Sequence, residues 1–225
     1  MQENKLYENI NQMIQAIVWM TIARKKMEEI DYVYETYKKF KKINPLIAYS
    51  NTKLADKENI ERFDSYAQRA LQIFRKIDID AKTENMVLRS LIKILHEEYL
   101  KENVALEKRL EIYDSKLLEE TKKRRESHLR EIQEYEAENI SISMDATRKA
   151  LEKLVQIRVE IILLETKVKE NKTVYDIYKR KILWRKNSKK TMEQAMQYMN
   201  DYQNTIEQLE MKIYSAEKDI LNILI

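Results

Sequence analysis

Between positions 172 and 190 the chain carries eight basic residues, Lys172, Lys179, Arg180, Lys181, Arg185, Lys186, Lys189 and Lys190, against one acid, Asp176. Such a run can bind oxyanions, because ammonium and guanidinium groups pair with phosphate oxygens through charge-assisted hydrogen bonds. On a helix turning about 100° per residue, Lys172, Lys179, Lys186 and Lys190 fall within an arc of about 40°, beside a seam of Tyr175, Tyr178 and Ile182. One reading is a phosphate-facing stripe, in which each cation near an anionic membrane contributes roughly 1 kcal/mol before screening. The other is a structural stripe pairing with a preceding acidic helix, since residues 93–120 hold eight acids against five bases. Exposed pairs of that kind stabilise by only about 0 to 1 kcal/mol each and mainly fix register. The residue types leave both readings open.

A second cluster, Lys122, Lys123, Arg124 and Arg125, is contiguous. Four consecutive residues point all round a helix, so no more than two serve one face. Residues 116–153 balance nine bases with nine acids, which fits a solvated face; the sharper alternative is a membrane-facing patch at the tip of a helical hairpin. Trp184, within the first basic run, suits a membrane interface, a guanidinium stack or burial in a bundle. Trp19 lies in an apolar context.

Other chemistry is harder to build from this chain. It has no glycine in 225 residues, which removes phosphate-cradling loops, dinucleotide fingerprints and nucleophile elbows, since each needs a close backbone approach or a positive φ. His96 and His128 are 32 positions apart, about 48 Å along one helix, so on a continuous helix they cannot share a metal or a proton. There is no cysteine, hence no thiolate ligand or disulfide framework, and a reducing compartment such as the cytoplasm is the expectation. No catalytic, cofactor or metal site is expected, and no enzyme. The net charge of +4 is small and the basic run matches no base-reading motif, so nucleic acid is not an expected partner. The longest uncharged stretch, residues 9–23, is too short and too rich in Asn and Gln to span a bilayer.

The elements that must position these charges are helical. Lacking glycine and having one proline, Pro45, the chain cannot form the tight turns of hairpin-joined strands. Its 44% apolar and 36% charged composition is that of long helices and coiled coils. The fold expected is all-α, an elongated three-helix antiparallel coiled coil over residues 1–225. Helix 1 is read over about 3–42, with Ile10, Met13, Ile14, Ile17, Val18, Met20 and Ile22 covering more than one face. That breadth requires burial on two sides, and a dimer core formed by Ile10, Met13, Ile14, Ile17 and Val18 would supply it. A loop is read at about 43–52, because proline disfavours helix in the residue before it and Ser50, Asn51 and Thr52 offer a cap. Helix 2 is read over about 53–138, with Ile92, Tyr99, Leu106 and Tyr113 repeating every seven residues. A bend is read at Asp78-Ile79-Asp80, with Thr83 as a recap. A turn is read at residues 139–143. Helix 3 is read over about 144–222, where eight of ten heptad positions from Ile157 to Ile220 are apolar.

A short first helix, two long ones joined by a tight turn, and an apolar first helix needing a second chain resemble the layout of a BAR domain. The sorting-nexin type, of the Vps5-like retromer-associated kind, is the nearest in pattern. The stretches carrying the resemblance are residues 91–101 (LIKILHEEYLK), the charged run to 121–126 (TKKRRE), and residues 181–190 (KILWRKNSKK) leading into 196–202 (MQYMNDY). The chain departs from the full sorting-nexin pattern in having no phosphoinositide-binding PX domain before the helices. The resemblance implies a homodimer, or a heterodimer with another BAR protein, whose two chains overlap into a curved six-helix centre. It further implies a concave face on anionic phospholipid, a peripheral place on endosomal membranes, curvature sensing or generation in protein transport, and a cargo-sorting complex as a partner. The membrane contacts would then be Lys172, Lys179, Lys186, Lys190, Lys122, Lys123, Arg124 and Arg125. The competing expectation is a coiled-coil tether or cytoskeletal rod that acts through protein contacts alone.

Overall fold

The computed structural model describes the backbone of residues 2–40, 45–113, 115–135, 144–181 and 186–224, and the side chains of 5–28, 60–62, 64–107, 119–135, 148–179 and 189–220. All regular structure among them is helical: α1 (Gln2–Phe40), α2 (Pro45–Lys76), α3 (Ile79–Glu84), α4 (Met86–Tyr113), α5 (Ser115–Gln133), α6 (Met144–Lys181) and α7 (Lys186–Leu224). The chain divides into two compact units, Met1–Ile142 and Ser143–Ile225, where the pattern predicts one three-helix domain.

In the first unit α1 lies against both α2 and α4, which explains the breadth of its apolar band. Ile10, Met13, Ile14, Ile17 and Val18 are all buried within their own chain. The two sides they need are supplied within the chain by α2 and α4. Burying each large apolar side chain contributes about 1.5–3 kcal/mol, so α1 is the spine of this unit. Met27, Ile60 and Leu106 join α1, α2 and α4 in one cluster. Trp19 stacks on Tyr66 with ring centroids 5.7 Å apart and takes the Arg69 guanidinium 4.0 Å from its ring centroid.

Helix 2, read as continuous over 53–138, is four helices. Pro45 opens α2 rather than preceding a loop to 52; its fixed φ and missing N–H suit the first helical position. The bend at Asp78 is a full interruption. Asp78 caps α3, its Oδ1 accepting from the Asp80 N–H at 3.1 Å, and Asn85 caps α4, its Oδ1 accepting from the Leu88 N–H at 3.1 Å. Thr83 does not recap: its hydroxyl donates back to the carbonyls of Ile79 and Asp80.

The larger departure is that α5 folds back along α4. Arg125 pairs with Glu102, and the Tyr99 hydroxyl lies 3.0 Å from His128 Nδ1. Residues 23 apart on one continuous helix would be about 34 Å apart, so these contacts require antiparallel helices. α5 also reaches α2 through long side chains: Arg75 grips both oxygens of Glu131 at 2.8 and 2.7 Å, and just past the end of α5 Tyr135 meets Phe74 edge to face. The first unit is thus two helical hairpins, α1/α2 and α4/α5, joined through α3.

The second unit is a third hairpin. The pattern predicts one helix over 144–222, yet Arg158 Nη2 donates to Glu217 Oε1 at 2.6 Å and Lys167 lies 5.7 Å from the Tyr202 ring. Both contacts need α7 to return antiparallel along α6. The seven-residue apolar seam finds its partner in the same chain. The turn read at 139–143 and the side chain of Trp184 lie outside the described residues.

Candidate functional site

The hairpin changes the geometry of the basic run. On one helix, Lys172 to Lys190 would span about 27 Å as a single stripe. Folded back, Lys172 and Lys179 stand on the last turns of α6, and Lys189 and Lys190 on the first turns of α7, at the same end of the hairpin. All four are exposed. Lys186 opens α7, and its side chain lies outside the described residues. The Lys179 ammonium lies 5.7 Å from the Tyr175 ring, and Lys189 Nζ is 3.9 Å from Glu193. Contacts of this length at exposed positions leave both cations free to take other partners.

Helix polarity adds to this. The first turn of α7 carries no acid, and Lys186, Lys189 and Lys190 crowd near the positive end of its dipole, an arrangement that an external anion relieves. The last residues of α6, Arg180 and Lys181, are in contrast well placed at a negative helix end. The sum is a concentrated positive end on an otherwise balanced chain.

The cluster at 122–125 is divided by burial. Lys123 is exposed and Lys122 half-buried. Arg124 Nη2 holds Asp64 Oδ2 at 2.9 Å. Arg125 is 1% exposed, and its guanidinium contacts both oxygens of Glu102, itself 0% exposed, and Asp64 Oδ1 at 2.7 Å. It also lies 5.3 Å from the Tyr99 ring. Arg125 is therefore not a membrane contact: it is an interior cation, and its placement with the membrane-facing residues is corrected. Four consecutive positions point all round α5, and one of them must face the bundle.

Around Arg125 the first unit holds a buried polar network. Burial pushes the Glu102 carboxyl above the usual carboxylate range, with Arg125 acting against that shift. Burial likewise raises the Tyr99 phenol. His128 is held below the ordinary imidazole value by burial first, and then by Arg75, Arg125 and Arg124. Arg24 donates to Glu98 at 2.9 Å and to Glu28 at 2.7 Å, while Lys101 donates to Glu98 at 2.8 Å. Two of the acids expected to meet the basic run, Glu98 and Glu102, are thus engaged inside their own unit.

The network was missed by sequence reasoning because its partners, Asp64, Tyr99, Glu102 and His128, lie on three different helices. One signal was present: Asp114 and Ser115 are a short polar pair at the midpoint between Glu102 and Arg125, the residue types that compete with helix for backbone hydrogen bonds.

Comparison with protein-family models, with characterised proteins and with solved structures found no match to this chain.

Proposed function

We propose that this chain is a peripheral membrane scaffold that docks on anionic phospholipid through the basic end of the α6–α7 hairpin. The observation carrying the reading is the convergence of four exposed lysines, Lys172, Lys179, Lys189 and Lys190, on one end of a helical hairpin. At roughly 1 kcal/mol per cation near an anionic surface, the four together support binding that one or two could not. No helix among the described residues is long and apolar enough to cross a membrane, so contact would be made by surface charge.

The resemblance to sorting-nexin BAR domains extends the proposal to curvature sensing or generation on endosomal membranes, by a dimer acting with cargo-sorting partners. Because α1 already fills the core of its own unit, a dimer built on α1 would form by exchange of helices between copies. A second reading, a coiled-coil tether acting through protein contacts, draws on Met211 and Tyr214 of α7, which are 72% and 77% exposed.

Vesicle flotation separates the two. The membrane reading expects the chain to float with phosphatidylserine-containing vesicles and not with phosphatidylcholine alone, and to be released as salt shortens the Debye length. Equal behaviour on the two vesicle types would favour the tether.

A further inference from the structure

Among its described side chains, residues 119–133, α5 buries Thr121, Arg125, His128 and Ile132. Spacings of four, three and four positions put them on one helical face. Three of these four are polar, so α5 is held on its neighbours by paired charges and hydrogen bonds more than by apolar area, whereas α1 buries Ile10, Met13, Ile14, Ile17 and Val18. An element with few buried apolar contacts lies at the low-stability end of a fold and opens first.

The charges of that interface balance without the imidazole. Arg75 of α2 holds Glu131, Arg124 holds Asp64 of α2, and Arg125 holds Asp64 and Glu102 of α4, so three guanidiniums meet three carboxylates. His128 is 8% exposed, and its Nδ1 lies 3.0 Å from the Tyr99 hydroxyl. A proton on Nδ1 leaves no lone pair there to accept from the phenol. It also adds a positive charge beside Arg75, Arg125 and Arg124. Glu131 favours the charged ring, but Arg75 already grips both its oxygens, and Lys82 of α3 acts on the same carboxylate. Burial and these cations together hold the folded imidazole below its ordinary value. Glu102, pushed up by burial, titrates in the opposite sense.

We propose that α5 is a proton-released strap: when His128 takes up a proton, the helix parts from α4 and α2 while α1, α2 and α4 stay packed. The core that stays is joined by Met27, Ile60 and Leu106, none of them on α5. Release uncovers Asp64, Tyr99 and Glu102, the groups that Arg125 and His128 cover in the docked strap. The freed imidazole binds the proton first, so opening grows as pH falls and levels off below the folded value. With the freed ring titrating at about 6.5, the opening equilibrium rises by up to about tenfold from about pH 7.5 to about pH 5.5.

Amide hydrogen exchange of the full chain, read at those two pH values and corrected for the intrinsic rate, tests this. Amides of residues 119–133 are expected to be less protected than those of residues 10–23 and to depend little on dilute urea, because their opening exposes a small surface. At the lower pH they should lose up to about tenfold in protection. His128→Gln, which keeps an acceptor for Tyr99, should remove that pH response and, by comparison with the parent, cancels the contribution of Glu102. Arg75→Gln, at an exposed position, leaves Glu131 free to pair with the charged ring; it should shrink the response while raising opening at both pH values, and it decides the matter if His128→Gln does not fold. Equal protection and equal urea dependence in 119–133 and 10–23 would mark one global unfolding and overturn the inference. So would the absence of a pH response in the parent, or a full-sized response in either variant.

Discussion

Replacing Arg125 by Met is the most revealing single change in the first unit. The Arg125 guanidinium is 1% exposed and holds both oxygens of Glu102, which is 0% exposed, together with Asp64. Removing it leaves a buried carboxylate without its counter-charge. Breaking a buried pair from one side costs about 3–5 kcal/mol. At roughly 3–5 °C per kcal/mol for a unit of this size, the melting temperature is expected to fall by about 10–20 °C. The stranded Glu102 escapes by taking up a proton, since burial without Arg125 raises its folded pKa further above the unfolded one. A group shifted in that direction favours the fold at low pH, so the gap between variant and parent should narrow from about pH 8 to about pH 5. Adding Glu102→Met should restore most of the loss, because an apolar replacement of the whole buried pair is often neutral or better. Thermal melts followed by circular dichroism, run as a double-mutant cycle, read all three effects. If Arg125→Met melted within about 2 °C of the parent, Arg125 would be a surface cation and the α4–α5 fold-back would be wrong.

Two further outcomes follow from the geometry. His128 is buried against Tyr99 with its folded pKa depressed, so the unfolded chain takes the proton first. Stability should decline as pH falls below about 6.5 and level off below the folded value, a dependence that His128→Gln should flatten in melts across that range. Spin labels at the exposed positions Glu160 and Tyr214 should report a separation under about 25 Å across paired helices, whereas a single third helix would place them on the order of 80 Å apart.

The absence of glycine made helix the only economical structure, and the all-helical fold was legible from it. The first helix is read over 3–42 and found as Gln2–Phe40, because its apolar band is broad and uninterrupted. Its partners were not legible. Ile10, Met13, Ile14, Ile17 and Val18 state that two sides must be covered, and say nothing of whether α2 and α4 or a second chain covers them. The same ambiguity misplaced the long helices: a seven-residue seam requires a neighbouring helix but does not say whether the chain folds back to provide it. Asn85 escaped notice as one polar residue among many, although its cap on Leu88 starts α4. Arg125 was grouped with its neighbours by charge, and only the fold-back to Glu102 distinguishes it from Lys123. The basic run is legible in the sequence as a concentration of charge, while its shape, an end rather than a stripe, depends on α7 returning along α6.

The claim that this basic end is the membrane contact is tested most directly by moving the charge loss along one hairpin. Lys172, Lys179, Lys189 and Lys190 changed together to Glu alter the net charge as much as the same change at Lys149, Lys153, Lys212 and Lys218, which are exposed toward the opposite end of α6 and α7. Partitioning onto phosphatidylserine vesicles should fall on the order of a thousandfold for the first variant and stay within a few-fold of the parent for the second. Equal losses in the two variants would show that net charge alone is read, and retained binding by the first would contradict the proposal.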